Sequence, residues 1–236
     1  MTQASTGARR AAEGHDRSEA TRAQLLDTAI DLFSRRGVYN VSLAEIVRRA
    51  NQRNLSALHY HFGGRDALLK AIMDRYVPTI RDRRLELLEF ARQSPTHDIR
   101  SPIEALVRPI TELAQTGWRE RGYLVISAEL ATGPDQSEPL IQEMFRQTAG
   151  LEVRDLLRAR LPLLADDAFG TRFQICSMVA GRAASDRARM RAYETPGSSM
   201  LEGDDAFADN LVAMLTGAML AEPPAAPGPR TARPTR

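Results

Sequence analysis

With 236 residues, 43% of them apolar and 26% charged, the chain can bury a sizeable core in one large or two modest domains. No apolar run approaches the ~18–20 residues of a membrane helix, so no membrane partner is expected. The formal net charge is only +2, yet residues 1–65 hold ten arginines against six acids, which places the basic excess at one end. Residues 1–20 are polar and lack an apolar h-region, which predicts no signal peptide. The single Cys176 excludes an intramolecular disulfide, and its apolar surroundings read as those of a buried structural thiol. Together these features predict a cytoplasmic protein.

Residues 1–18 are Ala, Gly, Ser and charge without an apolar period, which predicts a disordered arm. Arg9, Arg10 and Arg17 there have the reach for a neighbouring phosphate or minor groove; a solvated tail is the plainer reading. Over 19–36 a first helix buries Leu25, Leu26, Ala29, Ile30 and Phe33, and Gly37 ends it. Leu43, Ile46, Val47 and Ala50 form the next helical stripe. Ser42 before it and Glu45 three residues after Ser42 read as a capping box. After the polar turn Asn51-Gln52-Arg53-Asn54 comes a short stripe of Leu55, Leu58 and Phe62. Two helices joined by such a turn form a helix-turn-helix. The second carries Asn54, Ser56, Ala57, His59, Tyr60 and His61 away from its buried side, residue types suited to base edges and phosphates in a major groove.

From about Thr21 to Leu69 the chain resembles the DNA-binding domain of the TetR family of transcriptional regulators. The resemblance is carried by LLDTAIDLF at 25–33, Gly37, Ser42, HYHF at 59–62, and Arg65 with Leu68-Leu69. The turn departs from the family's Ala-Gly-Val-Ser, reading Ala50-Asn51-Gln52-Arg53-Asn54 with one extra residue. Asn51 stands in the glycine's place, and asparagine is the residue that best replaces glycine in a left-handed turn. The candidate DNA contacts are Arg22, Ser42, Arg53, Asn54, Ser56, Ala57, His59, Tyr60, His61 and Arg65. Among them Arg53, Asn54, Ser56 and Ala57 are placed for bases, and Tyr60, His61 and Arg65 for phosphates. A core role for Tyr60 competes with that.

The rest of the chain reads as helices only, so the expected fold is all-α. A helix-turn-helix domain over 19–64 is joined by a long helix to an effector-binding and dimerisation domain over 65–221. A Pro-rich disordered tail follows over 222–236. Pro78 predicts a kink in the long helix, which ends near Gln93-Ser94-Pro95. Further helices are expected over 102–116, 118–131, 139–160, 166–192 and 205–220, with loops at 132–139 and 195–204. His59 and His61, at i and i+2, point about 200° apart on a helix and so do not share a metal ion readily. The chain carries no G-x-S-x-G elbow, P-loop or G-x-G-x-x-G. No cofactor and no enzymatic activity are expected.

The resemblance implies a homodimer on a two-fold symmetric double-stranded DNA operator, most simply a repressor, released when a small effector moves the long helix. The effector is expected to be mostly apolar, among Trp118, Tyr123, Met144, Phe145, Phe173 and Met178. The dimer interface is expected on 139–160 and 166–192, where the small run Val179–Ala184 suits close helix approach. A DNA-bound scaffold that recruits a protein without any small effector is the alternative.

Overall fold

A computed structural model describes residues 3–132, 139–192 and 203–222, apart from the side chains of 3–14 and 192. All regular structure among them is helical. The order is α1 (Gln3–Arg36), α2 (Leu43–Arg49), α3 (Ser56–Phe62), α4 (Arg65–Gln93) and α5 (Arg100–Thr116), then α6 (Trp118–Ala131), α7 (Pro139–Gln147), α8 (Gly150–Arg160), α9 (Asp166–Ala192) and α10 (Asp204–Leu220). The expected loop at 195–204 and the tail lie almost wholly outside the described residues, as does 133–138.

The first helix runs back to Gln3, in place of the disordered arm expected over 1–18. Ala4, Ala8, Ala11 and Ala12 favour helix even where no apolar stripe marks it. Gly37, at φ +92°, ends α1 with its amide donating to the Phe33 carbonyl at 2.8 Å. Ser42 caps α2: its hydroxyl accepts the Glu45 amide at 3.2 Å. Only this half of the expected capping box is formed, because the Glu45 carboxylate pairs with Arg36 of α1. Asn51 adopts φ +54°, with Asn51 N–H donating to the Arg48 carbonyl and Gln52 N–H to that of Val47. That pair of bonds is a Schellman ending, so asparagine does the work of the missing glycine.

The core of the helix-turn-helix end does not stop at residue 64. Ile30, Phe33, Ile46, Leu58 and Phe62 pack in one cluster with Leu68, Ile72, Tyr76 and Ile80 of α4 and Tyr123 and Ile126 of α6. A second cluster joins Leu88 of α4 to α5, α8, α9 and α10, through Ile103, Val107, Val153, Phe169, Phe173 and Val212 among others. Helix α4, about 43 Å long at 1.5 Å per residue, runs through both. Pro78 lies within it on the exposed side and does not end it.

The segment 139–160 is not one helix. It breaks at Thr148-Ala149, where Ala149 takes φ +58°. Two arginines of α4 collect the carbonyls freed there: Arg81 donates to Gln147 at 3.0 Å and buried Arg84 to Thr148 at 2.7 Å. Arg84 also reaches the Thr148 hydroxyl and the Ala105 carbonyl. Burial pushes its pKa down to about 10, so it keeps its charge at neutral pH.

Helix α6 is buried nearly all round, through Gly122, Tyr123, Leu124, Val125, Ile126, Ala128 and Leu130. It lies between α1 on one side and α9 on the other. Gly122 makes this possible, since a Cβ there would stand 2.6 Å from Ile30 Cγ2.

Candidate nucleic-acid interface and effector cavity

Helix α3 is held by its apolar side and offers the other. Leu58 and Phe62 are buried, whereas Arg53, Asn54, Ser56, His59 and Tyr60 are exposed and Ala57 and His61 half-buried. Tyr60 is 82% exposed, which removes the competing core role. Its ring meets that of His61 edge-on at 5.1 Å. Two of the exposed residues also have local tasks. The Asn54 side-chain oxygen accepts the Ser56 amide at 3.0 Å, an Asx turn at the entry to α3. His59 Nδ1 donates to the Gly63 carbonyl at 2.8 Å, which closes the other end. Asn54 is thus less free for a base than the sequence suggested. Arg22 sits over the Phe62 ring at 5.1 Å. Ser42 remains exposed at the start of α2.

Arg65 requires a correction. It does not point outward toward a phosphate; its guanidinium donates to the Val38 and Val41 carbonyls, each at 2.5 Å, and lies 5.6 Å from the Phe33 ring centroid. The short loop before α2 leaves those carbonyls without helix partners, and the fork of arginine answers two at once. Exposed Arg48 and Arg49, in the last turn of α2, were passed over in the sequence. The signal was their place in the last turn of α2, just before the turn that carries exposed Arg53.

The DNA-binding end is tied to the helical domain through α6. Asp27 of α1 accepts from Arg119 of α6 at 2.7 Å and from Arg75 of α4 at 2.8 Å. Burial alone would raise the Asp27 pKa, but the bonds from Arg119 and Arg75 outweigh it and hold the carboxyl below its ordinary value. At the other end of α6, Glu129 accepts the Val38 amide at 2.8 Å. Arg65 and Glu129 therefore grip opposite groups of one residue, Val38, in the loop that sets the position of α2.

The six side chains expected to line one pocket are dispersed. Tyr123 is buried beside Tyr76, ring centroids 4.7 Å apart, and its hydroxyl reaches the Met144 sulfur at 3.3 Å. Phe145 and Phe173 meet edge-on at 6.0 Å in the second core. Trp118 and Met178 are each 44% exposed, with Arg119 over the indole. A cavity of about 260 Å³ lies elsewhere, between α5, α6, α9 and α10. Its walls include Thr111, Arg121, Arg187, Arg191, Asp204 and Phe207. Arg187 and Arg191 both donate to one oxygen of Asp204, at 3.0 and 2.9 Å, and Arg187 lies over the Phe207 ring. Burial raises the Asp204 pKa, but Arg191 and Arg187 more than offset it, so the carboxyl stays below its ordinary value. None of these charged wall residues was singled out in the sequence, although the four arginines clustered within Arg182–Arg191 were the visible signal. Cys176 is buried, and burial pushes its thiol pKa up.

No helix among the described residues is long and apolar enough to cross a membrane. Residues 25–72 match the family described as bacterial regulatory proteins, tetR family, and residues 104–218 match the tetracyclin repressor-like C-terminal domain. No curated protein is significantly similar to the chain. Several solved structures are similar in fold. AibR in complex with isovaleryl coenzyme A and operator DNA is 18% identical, with 83% of this chain and 98% of that chain covered and a TM-score of 0.53. The fatty acid degradation regulator FadR from Bacillus halodurans is 13% identical, covering 84% and 95%, at a TM-score of 0.59. A TetR-family regulator from Bordetella parapertussis 12822 is 16% identical, covering 86% and 98%, at a TM-score of 0.53. At such identities the likeness establishes the fold.

Proposed function

Since the chain belongs to the tetR family of bacterial regulatory proteins, we propose that it is a transcriptional repressor that a small molecule releases from a two-fold operator. It is a DNA-binding regulator and not an enzyme, and it acts in the cytoplasm as a homodimer. The observation that carries this reading is α6. One turn of this helix holds α1 through Arg119 and reaches the α5–α10 cavity through Arg121. Residues 119 and 121 project about 200° apart around a helix, so a change on the cavity side is passed to the DNA-binding side without a flexible link. AibR, with its acyl coenzyme A ligand and operator DNA, gives the precedent for both kinds of partner on this fold. The cavity also favours an effector over the scaffold reading, which needs none.

The surface that reads DNA is α3 with the turn before it. Arg53, Ser56 and Ala57 face base edges, while Tyr60, Arg48 and Arg49 face phosphates. Selection of random duplex DNA on the full chain tests this. Enrichment of a two-fold sequence with half-sites about one helical turn apart is expected. Arg53→Ala should relax the sequence preference, and Arg49→Ala should lower the salt slope of binding by ~1 for every sequence. Recovery of no shared sequence would reject the reading.

A further inference from the structure

We infer that the cavity between α5, α6, α9 and α10 binds a small carboxylate anion, with Arg121 as its anchor. Its regulatory consequence rests on the function proposed above; the binding itself does not. The basic character of the walls replaces the mostly apolar effector that the sequence suggested. Arg187 and Arg191 are already paired with Asp204, so the remaining arginine of the lining, Arg121 of α6, decides the matter. Its Nε is buried and without an acceptor among the described residues, and one terminal nitrogen makes only a long 3.3 Å bond to the Ala114 carbonyl. A guanidinium carries five donors and no acceptor, and a fork of this kind pairs best with a carboxylate that takes two of them in parallel. Buried donors are rarely left unanswered, and a ligand with acceptor oxygens in this cavity would answer Arg121.

The rest of the cavity limits the ligand's body. Ala114, Ala184 and Phe207 supply apolar wall, and Thr111 and Gln115 a polar margin. A volume of about 260 Å³ falls just below the ~300–1,000 Å³ usual for small-molecule sites. A short-chain or single-ring acid fits this description; a nucleotide or a long acyl chain does not.

Calorimetry on the full chain with butanoate, hexanoate and benzoate, beside their neutral amides and inorganic phosphate, tests the assignment. At least one acid should bind in the micromolar to millimolar range, with its amide and phosphate weaker by tenfold or more. Arg121→Gln should lose that binding and Arg121→Lys keep part of it. Gln115→Glu, at an exposed position that tolerates the change, should also weaken the acid by placing a tethered carboxylate near Arg121. Unchanged thermal unfolding shows that each variant is folded. Equal binding of acid and amide, equal binding of phosphate, no binding by any acid at millimolar concentration, or full binding by Arg121→Gln would each overturn the proposal. If an acid binds as expected and operator affinity does not respond, the site stands and the effector reading above falls.

Discussion

Arg65 shows how far a residue's type can mislead about its task. An arginine beside a glycine pair at the end of a recognition helix reads as a phosphate contact, and its actual partners are the Val38 and Val41 carbonyls. Those carbonyls are distant in sequence, so no local pattern announces them. Arg65→Ala should destabilise the fold by about 1–3 kcal/mol, the range for charged hydrogen bonds to groups left unpaired. It should leave the salt slope of DNA binding unchanged. Urea unfolding and a salt titration of DNA affinity measure the two effects. A lowered slope with unchanged stability would return Arg65 to the phosphates. Asn51 is the opposite case. Its left-handed conformation was legible because the backbone demand is local and only Gly and Asn meet it cheaply.

The helices themselves were largely legible, because apolar stripes at 3.6-residue spacing report burial on one face. The exceptions have physical reasons. The carbonyls freed by the break at Thr148-Ala149 are answered by arginines of α4, some 65 residues earlier in the chain. Helix α6 is buried on nearly every side, so its pattern could not say which face meets α1. That contact depends on Gly122. Gly122→Ala would put a methyl 2.6 Å from Ile30 Cγ2 and should cost about 1–3 kcal/mol as overpacking between helices. A larger loss of DNA affinity than of stability is expected, since α1 would be displaced; the same two titrations would read it. Wild-type stability in the Gly122→Ala variant would mean that α1 and α6 pack less closely than described.

For the whole molecule, we propose a dimer surface that keeps the expected 166–192 segment, α9, and replaces 139–160 with α10. The small residues Ala180, Ala184 and Ala188 are buried by the chain's own helices, since α5, α6 and α10 pack on α9. Helices α7 and α8 spend Leu140, Ile141, Met144, Phe145 and Leu156 on the two cores. Exposed apolar side chains concentrate on α9, within the expected 166–192, and on α10, at Ile175, Met178, Val179, Met190, Met214 and Leu220. An isologous pairing of α9 and α10 with their copies is therefore the proposed interface, burying upward of ~2,000 Å² if obligate. Met178→Glu should give monomers in sedimentation and lose two-fold DNA binding, whereas Leu151→Glu on α8 should not. The reverse outcome would put the interface back on 139–160. If α6 joins effector to operator, operator affinity with and without a bound acid, in wild type and in Asp27→Asn, reads the coupling directly. In the wild type the acid should weaken operator binding by about 5–150-fold, the usual size of an allosteric coupling. In Asp27→Asn, which breaks the bonds to Arg119 and Arg75, both ligands should still bind and the coupling should fall to about twofold or less. Full coupling in Asp27→Asn would contradict the claim.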